Sequence, residues 1–176
     1  MAVPIEIDVW QGDVGELEVD AIVVAATESL FMTSAVGRAL KVRAGESVER
    51  DAVAQGPVPA GTAVVTGGGL LAAPYVIHVV GVGHELRADE GVLASALDAA
   101  FDIAARLELR RLAMSPVGVE RGVFAPDHAA AVLARVLQER AARGAPLPES
   151  LVVAVTAPGE AVAFRSGVEG VGTPSR

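Results

Sequence analysis

The amino-acid sequence predicts one domain of the α/β class built on a mixed or parallel sheet, and three observations carry that prediction. Short apolar runs alternate along the chain with stretches of helical spacing, the order expected when helices cover a sheet. Ala21 to Ala26 is apolar without a break, as in a strand covered on both faces. Asp89 to Leu107 places Val92, Leu93, Ala96, Leu97, Ala100, Phe101 and Ala104 at helical spacing and is the clearest amphipathic helix.

The remaining elements follow in chain order. Ile5 to Val9 alternates apolar and acidic residues and is expected as an outer strand. Gly12 to Asp20 is a short turn segment. Ser34 is placed to cap a helix with Val36, Ala39 and Leu40 on one face, and Gly45 to stop it. A second short helix is expected over Glu46 to Gln55. Gly56-Pro57 and Pro59 interrupt the chain before a strand at Ala63 to Thr66. Gly67-Gly68-Gly69 separates that strand from another at Tyr75 to Val80, as a hairpin or two neighbouring strands. Leu112 to Met114 is a brief strand, Ser115 to Ala125 a glycine-containing loop, and Pro126 opens a helix reaching Arg143. Leu151 to Val155 is the last expected strand. The domain is expected over residues 1–157, with 158–176 a partly disordered tail, frayed beyond Ser166.

Composition narrows the partners. At 176 residues the chain suffices for one hydrophobic core. Its 52% apolar content is mostly Ala and Val, and no run approaches the roughly 20 residues of a membrane span. The first residues do not read as an export signal, so the expected location is the cytoplasm, away from membranes. Formal net charge is −8, and Lys41 is the only lysine, so a nucleic-acid backbone would meet a repelling surface. A small anion is not excluded, because N–H groups at helix N-termini hold phosphate without basic side chains. The chain contains no Cys, which rules out disulfides and thiolate metal sites, and no Asn. No cofactor or metal is expected. Gly81-Val82-Gly83 has Leu86 where a dinucleotide fingerprint needs its third glycine, and His78, His84 and His128 share no ligand spacing. His78 is expected as a strand histidine with a structural partner.

Four stretches taken together resemble the macrodomain family: Gln11-Gly12-Asp13-Val14, Val19 to Thr27, Gly61 to Gly68, and Tyr75-Val76-Ile77-His78. The resemblance runs from about Ile5 to Val155 and implies a three-layer α/β/α fold with a central mixed sheet. It implies ADP-ribose or a related nucleotide diphosphate sugar as ligand, with ADP-ribosylated protein as a further partner. It also implies ligand contacts at Asp13 and Val14, at Thr27, at Ser34, Ala35 and Val36, and at Gly118, Arg121, Gly122, Val123 and Phe124. Asp13 matches the family's acid that accepts from the adenine amino group, although the same residue type also caps turns. Independently of any family, two loops here end strands and open helices, Ser29 to Val36 and Ser115 to Pro126, and each presents N–H groups at a positive dipole end.

The chain departs from the family pattern in three places. Val24-Ala25-Ala26-Thr27 stands where the family has Asn-Ala-Ala-Asn, whose last Asn helps orient the distal ribose and the attacking water in hydrolytic members. Thr27 is shorter, with a single donor, so hydrolysis is disfavoured. In the first glycine-rich loop Thr33-Ser34-Ala35 replaces glycines, and Ser34 serves either as helix cap or as a ribose donor. In the second, Arg121 can pair with a diphosphate while Glu120 would repel it, or both turn to solvent. Phe124 is expected as a lid over the ribose, the alternative being a core plug beneath the loop. Asp20 is implied to be structural, at the start of its strand. Three functions follow from these readings: a binding module, an interaction protein of the same shape with a closed cleft, or an ADP-ribosyl or acetyl-ADP-ribose hydrolase.

Overall fold

The computed structural model describes residues 4–174. Its strands are β1 (Glu6–Gln11), β2 (Ala21–Ala25), β3 (Thr62–Gly67), β4 (Tyr75–Val80), β5 (Arg111–Met114), β6 (Ser150–Val155) and the two-residue β7 (Thr173–Pro174). They form one sheet in the order β3-β4-β2-β5-β6-β1-β7. Only β3 is antiparallel, to β4, and every other described pairing is parallel, so the sheet is mixed. The carboxyl ends of β1, β2, β4, β5 and β6 therefore share one edge, where the strand-to-helix loops collect.

Helices cover both faces. They are α1 (Ala35–Ala44), α2 (Glu46–Val53), α3 (Glu90–Arg106), α4 (Pro126–Ala142) and α5 (Pro158–Val168). The period-two alternation of β2 divides them. Ala21 and Val23 point into the core that takes α3, α4 and α5, while Ile22 and Val24 meet Met32, Leu40, Ala44 and Val48 from the α1 and α2 side. This makes three layers. Asp20 opens β2 structurally: its Oδ2 accepts the Arg110 and Arg111 N–H groups at 2.8 Å each, which locks β2 beside β5. Those hydrogen bonds, the Arg111 bond first, hold its carboxyl below the usual aspartate range.

The expectation of a loose tail is corrected. Residues 158–168 form α5, whose Ala161, Phe164 and Val168 are buried in the main core. Their spacing of three and four residues is a helical stripe that a Gly- and Pro-containing composition obscured. Gly167 lets α5 approach α4, because a Cβ there would lie 2.5 Å from the Ala130 side chain. Thr173–Pro174 then pairs with β1. The last two residues of the expected tail lie outside the described residues.

Candidate functional site

A groove runs along the carboxyl edge of the sheet in three connected compartments. The first is bordered by Asp13, Val14, Ala35, Val36 and Thr156. Ala35, Val36 and Thr156 continue into a middle compartment, with Arg38, Ser115, Glu120, Arg121 and Glu160. Thr33, Ser34, Glu120 and Arg121 pass on into a distal compartment closed by Thr27, Glu28, Gly83, His84 and Leu86.

At the first end, Asp13 both caps and borders the groove. Its Oδ1 accepts the Gly15 N–H at 2.8 Å, capping the start of the one-turn 3-10 helix Val14–Glu16, and its Oδ2 accepts from Arg43 at 2.9 Å. Each carboxylate oxygen has a further lone pair, so these partners leave it able to accept another donor.

The first loop is organised by α1. Ser34 Oγ accepts the Gly37 N–H at 2.9 Å, a side-chain cap, and its own hydroxyl hydrogen remains available. The N–H groups of Ala35 and Val36 meet no acceptor among the described residues, and both residues line the groove. Behind the loop, Glu49 accepts the Met32 N–H at 2.8 Å and pairs with Lys41 at 2.7 Å, so the only lysine supports the loop from below. Thr27 closes the preceding turn, its Oγ1 accepting the Phe31 N–H at 3.2 Å, with Leu30 at φ 65°. One donor hydrogen of Thr27 is left for a ligand.

The second loop is arranged differently. Gly118, at φ 100°, directs its N–H at the Glu120 carboxylate, 3.0 Å from each oxygen. Burial pushes the Glu120 carboxyl up, against the lowering effect of that N–H and of the residue's own. Arg121 adopts φ 53° and is exposed while Glu120 is half-buried, so the two do not turn to solvent together, and both border the groove. Glu160, also lining the middle compartment, has its carboxyl raised by burial.

Phe124 is a correction. It is 1% exposed, packs edge-on to His128 with ring centroids 5.0 Å apart, and lies beneath Gly118 as a core plug. The loop turns it inward because its N–H donates to Gly118 O at 3.0 Å. Gly118, Gly122 and Val123 likewise shape the loop, with Gly122 at φ 70°, and do not line the three compartments. Asp13, Val14, Thr27, Ser34, Ala35, Val36 and Arg121 are brought to the groove.

Several groove residues went unread as such in the sequence. Glu28 and His84 form a pair at the distal end, where Glu28 Oε2 accepts the His84 main-chain N–H at 3.0 Å and stands 3.0 Å from His84 Nε2. Thr156 and Glu160 come from the β6–α5 junction, which the tail reading concealed. The signal for Gly81 to His84 was a glycine pair directly after a strand, at the same edge as the other loops. His78 stands apart, fully buried in β4, with Nε2 2.9 Å from Thr66 Oγ1. Burial brings its pKa to about 4 although Glu49 acts to raise it.

The Macro domain family profile matches residues 23–133 of this chain. A macro domain-containing protein in the gbd 3' region of Cupriavidus necator is 38% identical over 76% of this chain and 80% of its own length. An uncharacterized protein of Saccharolobus solfataricus is 32% identical, over 76% of this chain and 77% of its own length. An uncharacterized protein of Thermotoga maritima is 37% identical over 76% of this chain, but the match spans only 23% of that protein. Among solved structures, a mutant Oceanobacillus iheyensis macrodomain superposes with a TM-score of 0.84 at 17% identity, covering 96% of this chain and 94% of that one. The Trypanosoma brucei macrodomain in complex with ADP-ribose superposes with a TM-score of 0.84 at 21% identity, over 93% of this chain and 69% of that one. At such identities the likeness is one of fold.

Proposed function

The chain belongs to the macrodomain family, and from that premise we propose that its groove binds ADP-ribose or a nucleotide diphosphate sugar of the same plan. In this reading Asp13 accepts from the adenine amino group, the diphosphate lies over the N-terminus of α1, and the distal ribose enters the compartment of Thr27, Thr33 and Ser34. The observation that carries it is the pair of unpartnered Ala35 and Val36 N–H groups on a continuous groove. Such groups at the positive end of a helix favour an anion without any lysine. Arg38 and Arg121 add guanidinium donors along the middle compartment. Micromolar affinity requires only about −8 kcal/mol, within reach of a buried base and a few main-chain bonds.

Binding, rather than turnover, is the reading the side chains favour. Thr27 spends its oxygen on the Phe31 N–H and keeps one donor, enough to hold a ribose hydroxyl but not to place a water as well. Calorimetric titration with ADP-ribose tests the proposal, with saturable binding expected and none excluding it. Incubation with mono-ADP-ribosylated protein tests the restriction to binding. Release of free ADP-ribose would overturn it.

A further inference from the structure

Three carboxylates of the groove accept main-chain N–H groups, Asp13, Glu28 and Glu120, and of these only Glu120 has no cationic side chain paired with it among the described residues. The Gly118 N–H reaches both its oxygens at 3.0 Å, the contact an oxyanion ligand would make with the same loop. The residue borders both the middle and the distal compartments, the stretch that would hold a diphosphate. No ion pair neutralises it among the described residues, for Arg121, although it borders the same two compartments, forms none with it. A carboxylate partly withdrawn from water without a cation is unfavourable to the fold, and nothing in the loop's packing requires its charge. Burial accordingly raises its pKa.

We infer that Glu120 is a built-in anion that fills the amide cradle of the second loop and sets the ligand choice of the groove, so that a diphosphate enters only by turning this carboxylate out. The inference rests on the nucleotide reading above for the identity of its ligands, not for the engagement of the loop. Ligands without phosphate at this point bind regardless of Glu120. Ligands with a diphosphate compete with it, and lose affinity both to the displaced hydrogen bonds and to repulsion between like charges.

The test is a titration of wild type, Glu120→Gln and Glu160→Gln with ADP-ribose, ADP, adenosine and inorganic pyrophosphate. Glu120→Gln keeps an acceptor for Gly118 and removes the charge, and is expected to tighten ADP-ribose and ADP by about tenfold, leaving adenosine unchanged. Glu160→Gln, whose carboxylate holds no loop amide, removes only like-charge repulsion and is expected to tighten them by less than Glu120→Gln does, about threefold at most. Wild type needs no substitution for a second readout: ADP-ribose affinity rises as pH falls through the raised Glu120 range. Arg38, Arg121 and Glu160 face Glu120 across the middle compartment and Glu28, His84 and Arg121 across the distal one, so the pH profile is repeated in Glu160→Gln, Glu28→Gln and His84→Gln, and the part that disappears only in Glu120→Gln is the one expected. Equal or weaker ADP-ribose binding by Glu120→Gln, or a wild-type affinity flat with pH, overturns the inference while leaving the nucleotide reading in place. If ADP-ribose binds neither protein but pyrophosphate binds Glu120→Gln more tightly than wild type, the nucleotide reading falls and Glu120 keeps its role. If no probe binds any variant, both fall.

Discussion

The loop before α1 satisfies its Gly37 amide with the neutral Ser34 hydroxyl and leaves Ala35 and Val36 open, whereas the loop before α4 satisfies its Gly118 amide with the Glu120 carboxylate. Both are strand-to-helix junctions on the same sheet edge, and both would carry a positive dipole end. The difference teaches that position in a fold supplies the donors, but the side chain that meets them decides whether a ligand anion is admitted. A hydroxyl can cap an amide and still donate its own hydrogen to a phosphate. A carboxylate caps an amide as well, but it has no hydrogen to donate and repels a phosphate while it stays in place.

The contrast can be broken most severely from below the second loop. Phe124→Ala removes the plug under Gly118 and is expected to cost about 3 to 5 kcal/mol in denaturant unfolding, because its ring is buried and the site cannot collapse freely. A lid over the ribose would instead lose ligand affinity with little change in stability. At the first loop, Ser34→Ala removes the cap on Gly37 and is expected to cost about 1 kcal/mol in the same measurement. ADP-ribose affinity should fall with it, since the hydroxyl also faces the groove. The smallest effect is expected at Arg43→Ala, where an ion pair with half-exposed partners contributes under about 1 kcal/mol. That variant frees one oxygen of Asp13, so ADP-ribose binding should be unchanged or slightly stronger. A clear loss would mean that Arg43 holds Asp13 in the only orientation the adenine accepts.

The two loops also differ in how far they could be read from the sequence. The strands and the helix caps were legible, because Ala21 to Ala25 is apolar on both faces and Ser34 precedes a helical stripe ending at Gly45. The junction positions followed from the same pattern, and with them Ala35 and Val36. The second loop was harder. Phe124, two residues after Gly122, reads equally as lid or plug, and its direction is set by the Phe124 N–H to Gly118 O bond across the loop, not by any periodicity. Glu120 turns inward because Gly118 sits at φ 100°, a conformation that its neighbours in sequence do not announce. Helix α5 went unread for a further reason. Gly159 and Gly167 depress helix propensity over 158–168, while its stability comes from burying Phe164 against the core.

The account's central claim is that main-chain N–H groups at the start of α1 grip the phosphates, and Ala35→Pro tests it most directly. Proline fits the first helical position, and the residue before it is already extended, with Ser34 at ψ 159°, so the fold should keep its stability while one donor disappears. Titration is expected to show ADP-ribose bound about tenfold more weakly than by wild type, with adenosine unaffected. Equal ADP-ribose affinity in the two proteins, each with an unchanged melting temperature, would contradict the claim.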